Sequence, residues 1–469
     1  MARRSSFSER ENPEGGCHSG ILLSRERLSS AELLQFDRRP NAPPVWPAVL
    51  TSFLHSVSLG AAMMTWLEVC KEVVGSGGGK EDTEAQTYYG RLLAVNGVCE
   101  LVTSQLVGVA SDKYGRRSVQ IAAQLGQVVD YLMAALCLPP SFGYLPQVQR
   151  VMAWTGLFAS RGVAGLLGNY KVTLQSYTSD ISGAEECPQR MSYLGAAMVV
   201  GMCMGSMVVA IVEKMQLSFR ACFLTATCMN AMIIVLVFVK WRDIAPRKNF
   251  TCRETNPFVG LHVLRINQAM VMYSTLVFLS AFSLNMYTST LNFYCEKLLK
   301  MPKSTFIALG TMWAMESFIL LGFVQPMLIR QFGEIGTLQL SFASMIAFYL
   351  LFSMLTPDIN AWAFIIMILF AVGSMAYPLA VGLATRELSS DQQGLLQGAV
   401  SILETLAKIV APLVASDVII PRFNKPDQFF GMVYFVAGLL LLPSLACCHK
   451  LHSLTGRIDP DKAVMLEMH

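Results

Sequence analysis

Twelve stretches of about twenty predominantly apolar residues punctuate the chain, at 46–70, 88–110, 118–138, 150–178, 191–212, 218–240, 269–295, 304–329, 337–356, 360–384, 393–419 and 428–447. No other feature narrows the fold so far. About 20 such residues wound as an α-helix cross the hydrocarbon core of a bilayer, and inside lipid only helices and closed barrels satisfy every backbone polar group. The runs are too long for strands, so the chain is expected to be an all-α membrane protein of twelve transmembrane helices. Composition agrees: 53% of the 469 residues are hydrophobic and 14% charged, against roughly 25% charged in soluble domains, which leaves too little charge to cover a water-facing surface.

The connections are short except for the Gly-rich stretch 71–87 and the basic stretch 241–268, and the latter divides the runs six and six. The expected organisation is a disordered cytosolic tail at 1–44, a first six-helix bundle at 45–240, a central cytosolic loop at 241–268, a second bundle at 269–447 and a cytosolic tail at 448–469. An even number of spans places both termini on one side of the membrane. The connections on that side carry more than twice as many Lys and Arg residues as those opposite, and the positive-inside rule makes it cytosolic. The polar opening stretch has no apolar core of a signal peptide. The sequon at Asn249 then faces the cytosol and is expected to stay unglycosylated. Plasma and endolysosomal membranes both remain open.

Several classes are excluded. Net charge is only +4, with no basic stripe interleaved with aromatics, so nothing argues for nucleic acid. The twelve cysteines stand singly in apolar runs without zinc spacing. They read as small core residues, with acylation of Cys447 and Cys448 the alternative to packing. GxSxG, HExxH and phosphate-loop patterns are absent, so no enzyme, cofactor or metal is expected.

Between the second and third runs stands Gly108-Val109-Ala110-Ser111-Asp112-Lys113-Tyr114-Gly115-Arg116-Arg117. Gly108 permits close helix approach, and Asp112 with the arginine pair can bridge charges between helix ends across the cytoplasmic face. The stretch resembles the GxxxDxxGRR signature of the major facilitator superfamily. The fourth run, Ser160-Arg161-Gly162-Val163-Ala164-Gly165 through Tyr177-Thr178-Ser179-Asp180-Ile181, is similar to the tetracycline-efflux branch. Asn256-Pro257-Phe258 and Asp391-Gln392-Gln393-Gly394 look like the hippocampus-abundant-transcript family. The resemblance implies two pseudo-symmetric six-helix bundles (the major facilitator fold), a conformational latch at Gly108, Asp112, Gly115, Arg116 and Arg117, and proton coupling through a residue at the position of Arg161. The chain departs from the pattern where His55 replaces a membrane aspartate. It departs again where Gly205-Ser206-Met207 lacks the proline of the antiporter motif, and where Pro326 to Gly333 keeps mainly Arg330 and Gly333 of the second loop signature.

Charges within spans are costly and need partners, water or a function. His55, whose type titrates near neutral pH, is expected to face Arg161. Arg161 keeps its proton and needs an acceptor, for which Glu100 and Asp130 are the candidates. Lys171 is expected either to snorkel or to bind an anion. Gln120, Gln124, Gln127 and Tyr131 share one helix face, which packs on a neighbour or lines a wet route. Glu404 and Lys408 stand at i,i+4 and can neutralise each other, or Lys408 can serve Glu316. Trp66, Asn169, Lys171, Asn285, Tyr287 and Tyr377 are the candidates to line a central substrate cavity.

Three functions fit. The leading one is a monomeric secondary active transporter that moves a small organic solute by alternating access, coupled to a proton or another ion. The others are an uncoupled facilitative carrier and a non-transporting receptor or scaffold.

Overall fold

A computed structural model describes residues 43–75, 79–137, 147–167, 170–182, 187–242, 259–387, 393–423 and 431–455. The sequon at Asn249, the Asn256-Pro257-Phe258 stretch, Asn169 and most of both tails lie outside the described residues. Among the described residues there is no β-strand.

The first half of the chain forms α1 (Trp46–Val74), α2 (Gly79–Tyr114), α3 (Arg116–Cys137), α4 (Gln147–Leu167), α5 (Tyr170–Asp180), α6 (Cys187–Lys214) and α7 (Arg220–Lys240). The second half forms α8 (Gln268–Phe293), α9 (Lys303–Ile319), α10 (Gln325–Ser353), α11 (Trp362–Gly373), α12 (Ala376–Arg386), α13 (Gln393–Leu413), α14 (Met432–Leu440) and α15 (Leu442–Thr455). Single π turns continue α8, α9 and α13.

Nine helices among the described residues are long and apolar enough to cross a membrane. One of them, Ser304–Ser353, holds two predicted runs and breaks at Gly333, whose φ of 72° leaves helical space. The other runs without a helix of their own in that set lie on α2 and on α4–α5. Gly115 has a φ of 90° between α2 and α3, so both halves turn at a glycine where the loop signature places one. Non-glycine residues rarely adopt that region.

Two boundaries differ from expectation. α2 begins inside the stretch read as a Gly-rich connection, because Lys80-Glu81-Asp82-Thr83-Glu84 puts acids in a first turn, where the helix dipole favours them. α15 runs past 447 to Thr455, with Cys448 and Leu451 buried against neighbouring helices, so Cys448 packs.

Lipid supplies no hydrophobic drive between helices, so close backbone approach must supply contact. α6 packs on α1 through Gly60, Gly201 and Gly205; a Cβ added to Gly205 would stand 2.4 Å from the Val57 carbonyl oxygen. The second half is filled with rings instead. Tyr287 sits amid Phe348, Phe352, Phe370 and Tyr434, at centroid distances of 4.7 to 6.0 Å and mostly edge-on. Large apolar side chains such as Val235, Phe238 and Ile365 point outward, as a lipid-facing surface requires.

Candidate functional site

The helices run alternately between a near end, where α1 starts at Trp46, and a far end, where it stops at Val74. Within the first half, α3 brings Asp130 to Arg161 of α4, Oδ2 to Nη1 at 3.1 Å. The Ser160 hydroxyl donates to the other carboxylate oxygen at 3.0 Å, and the Arg161 guanidinium lies 3.8 Å over the Trp66 ring. Asp130 is fully buried and the Arg161 side chain 11% exposed. Of the two acceptors expected for Arg161, the structure supplies Asp130. Trp66, expected on a cavity wall, is buried beneath the guanidinium, because a desolvated cation finds its second partner in a ring face.

His55 does not face Arg161. Its ring lies against Tyr170, tilted by 30° with centroids 3.4 Å apart, and Gln124 and Asn230 face it. His55 Nδ1, both amide atoms of Gln120 and Gln124, Asn230 Oδ1 and Thr173 Oγ1 have no hydrogen-bond partner among the described residues. All five residues are buried. Gln124 of α3 and Asn230 of α7 therefore meet His55 of α1 and Tyr170 of α5 in a polar nest.

Between the halves, α2 and α13 run antiparallel. A Cβ on Gly90 would meet Ser416 at 2.1 Å, and one on Gly97 would meet Ile409 at 2.7 Å. Just past this close contact, Lys408 Nζ donates to Glu100 Oε2 at 2.6 Å. Lys171 of α5 then reaches Glu404 at 3.6 Å. The expected pairing of Glu404 with Lys408 along one helix is thus replaced by two bridges across the seam. Lys171 spends its charge on Glu404 rather than snorkelling, and Lys408 serves Glu100 rather than Glu316. Glu316 Oε2 is without a partner among the described residues. Tyr377 of α12 lies against Glu404, and Tyr170, the residue preceding Lys171, is within electrostatic range of Glu100. Asn285, part-buried, donates to the Ala281 carbonyl at 2.8 Å. Tyr287 is at the centre of the second half's aromatic core, not on a wall, because five rings already enclose it.

At the near end, Arg116 Nε donates to Asp180 Oδ2 at 2.9 Å and Nη1 to the Ser111 hydroxyl at 2.7 Å. Arg117 donates to the Phe238 carbonyl and lies over the Phe238 ring. The side-chain surroundings of Gly108 and Asp112 lie outside the described residues. The far end holds charges that the sequence reading passed over. Lys71 bridges Glu68 and Glu296, Lys297 pairs with Asp82 at 2.8 Å, and Arg91 with Asp417 at 3.3 Å. Their signal is opposite charge at the ends of runs, which spacing along one helix does not reveal. Among the described residues no group of three His, Cys, Asp or Glu is placed to hold a metal ion.

Comparison with known proteins adds an independent line. A family model described as Major Facilitator Superfamily matches residues 48–412. The Escherichia coli tetracycline resistance protein, class C, is 25% identical over 399 residues, covering 84% of this chain and 94% of that protein. The Mus musculus hippocampus abundant transcript 1 protein is 20% identical, covering 79% and 72%. The crystal structure of the human organic anion transporter MFSD10 superposes with a TM-score of 0.64 at 15% identity, covering 86% of this chain and 98% of that one.

Proposed function

The chain belongs to the Major Facilitator Superfamily, and from that premise we propose that it carries a small organic solute across a membrane by alternating access, with a proton as the coupled ion. One run of neighbouring groups carries this reading. The His55 ring lies against Tyr170, Tyr170 is within electrostatic range of Glu100, and Glu100 bridges to Lys408 of the other half. Imidazole is the side chain whose charge changes most readily in the physiological range. A proton gained or lost in the nest acts on a ring within electrostatic range of a bond that ties the halves together. A conformational equilibrium responds only to differential interaction with its two states, and a bridge made in one state and broken in the other supplies that difference.

The near end, with its excess of basic residues, faces the cytosol in this reading, and both termini lie there. The conformation is then inward-facing: closed at the far end by Lys71, Lys297 and Arg91 with their partners, and open toward the cytosol. Arg116 and Arg117 of the latch hold the helix ends of the first half as one body. Asp130 and Arg161 fix α3 to α4 beneath it. Glu316, Asn285 and Tyr377 contribute from the second half, and the protein works as a monomer because one chain encloses its own seam.

The test is reconstitution into vesicles that hold a pH-sensitive dye, with tetracycline as the first of a panel of small organic solutes. Accumulation driven by an imposed pH gradient, with proton movement matching solute uptake, is the expected result. His55→Gln should retain exchange of solute between the two sides and lose gradient-driven accumulation. Equal uptake by the wild-type protein with and without the gradient would leave an uncoupled carrier in place of this reading.

A further inference from the structure

Four charges of alternating sign gather across the seam in a ring of two bridges. Lys171 meets Glu404, and Glu404 stands one turn from Lys408 on α13. Lys408 meets Glu100, which is within electrostatic range of Tyr170, the residue preceding Lys171. Each half contributes one acid and one base, so the ring is neutral. These side chains are 49%, 28%, 34% and 21% exposed, in the order Lys171, Glu404, Lys408, Glu100. The Asp130–Arg161 pair is sealed by comparison. Charge turned toward lipid at this depth is disfavoured, so the ring opens onto the aqueous space between the halves. It begins where the close packing of Gly97 on Ile409 ends, at the floor of that space.

We propose that this ring is the substrate site and that it selects a zwitterion, a small solute of no net charge whose cationic and anionic groups are roughly 6 Å apart, the span of one helical turn. The inference rests on the transport reading above and narrows it to a chemical class. Parting the halves separates each carboxylate from its ammonium. Removing one member of a desolvated pair is more damaging than removing both, because the survivor is left uncompensated. Two broken bridges leave four charges: a singly charged solute compensates one of them and gives the ring a net charge, and an uncharged solute compensates none. A zwitterion places its ammonium on Glu100 or Glu404 and its carboxylate on Lys408 or Lys171, so it compensates one acid and one base and the loaded ring stays neutral. Tyr377, which lies against Glu404, supplies the aromatic wall that holds the solute's apolar body.

The experiment presents reconstituted protein with 5-aminopentanoate and 6-aminohexanoate, each beside its methyl ester (a cation), its N-acetyl form (an anion) and the doubly blocked neutral compound. Thermal stabilisation and counterflow are read for every form. The zwitterions should bind at least tenfold more tightly than either singly charged form. Lys408→Gln should shift preference at least tenfold toward the ester, and Glu404→Gln as far toward the N-acetyl form. The paired Glu100→Gln, Lys408→Gln protein removes a bridge without changing net charge, so it should lose zwitterion preference without gaining preference for a cation. Equal or better binding of a singly charged or neutral form overturns the proposal, as does identical preference in all variants. If no form of either scaffold binds while another solute still drives proton flux, the zwitterion ring falls and the transport reading stands; if no solute moves at all, both fall.

Discussion

The two ends of the bundle are held by polar contacts of different kinds. At the far end the contacts cross between halves: Lys71 to Glu296, Lys297 to Asp82, Arg91 to Asp417, Gln86 to the Ser289 carbonyl and Thr87 to the Ser416 carbonyl. At the near end, those seen among the described residues stay within a half: Arg116 to Asp180, Arg117 to the Phe238 carbonyl, Arg190 to the Ile181 carbonyl, and Asn267 to Glu387. The first kind sets which way the seam is open, because such bonds exist in one state and must break in the other. The second kind keeps each half rigid while the seam moves. A variant at the far end should therefore shift a conformational equilibrium, and one at the near end should change stability without shifting it.

The largest shift is expected from Lys71→Gln. Lys71 is nearly buried and serves two carboxylates, so its loss leaves Glu68 and Glu296 facing each other. Breaking a buried pair costs about 3 kcal/mol, on the order of a hundredfold in the balance of states, less whatever water recovers at the part-exposed Glu296. Cys70 and Cys295 are fully buried beside this bridge. Their labelling by a thiol reagent added on the far side, read by mass spectrometry, should accelerate by a comparable factor. Unchanged labelling would remove the bridge from the gate.

A smaller shift follows from Gly90→Leu. The added side chain wedges against Ser416 and the Pro412 carbonyl, and overpacking costs about 1–3 kcal/mol. Because the wedge acts on the closed seam alone, labelling of Cys70 and Cys295 should rise roughly tenfold, by the same arithmetic. Vesicle transport should fall with the protein still folded and inserted.

How much of this was legible in the sequence depends on whether a contact is local. Helix positions followed from apolar runs, and the turns at Gly115 and Gly333 from loop glycines. Arg161 and Asp130 were matched because a cation that keeps its proton must find an acid and few acids lie inside the spans. Glu404 and Lys408 misled because i,i+4 spacing measures proximity along one helix, whereas each is turned across the seam to a residue of the other half. Trp66 and Tyr287 misled for a related reason. An aromatic residue in a span has no polar face to fix its orientation, and both were drawn into cores by a guanidinium and by other rings. Lys71, Asp82 and Glu296 sit at the ends of runs, where charge is ordinary, so only the approach of α1 and α2 to α8 marks them as a gate.

Arg116→Gln probes the other side of the comparison. It removes a part-buried bridge to Asp180 and a hydrogen bond to Ser111. The expected loss is about 1–3 kcal/mol of first-half stability, as for a hydrogen bond to a charged group. The thermal midpoint should fall while labelling of Cys70 and Cys295 stays at the wild-type rate. A change in labelling as large as that of the far-end variants would show that the near-end contacts also bias the seam.

The smallest effect belongs to Arg91→Gln. Arg91 pairs with Asp417 across the far end, but its side chain is half exposed, and an exposed pair is worth about 0.2–1 kcal/mol. It lies in the same seam as Lys71, so the sign of its effect should match while the size should not: a less than fivefold rise in labelling, shrinking further in high salt as screening removes what remains. If Arg91→Gln matched Lys71→Gln, then burial would not decide which bridges hold the far end shut, and the whole charged rim, rather than the buried bridge at Lys71, would have to be taken as the gate.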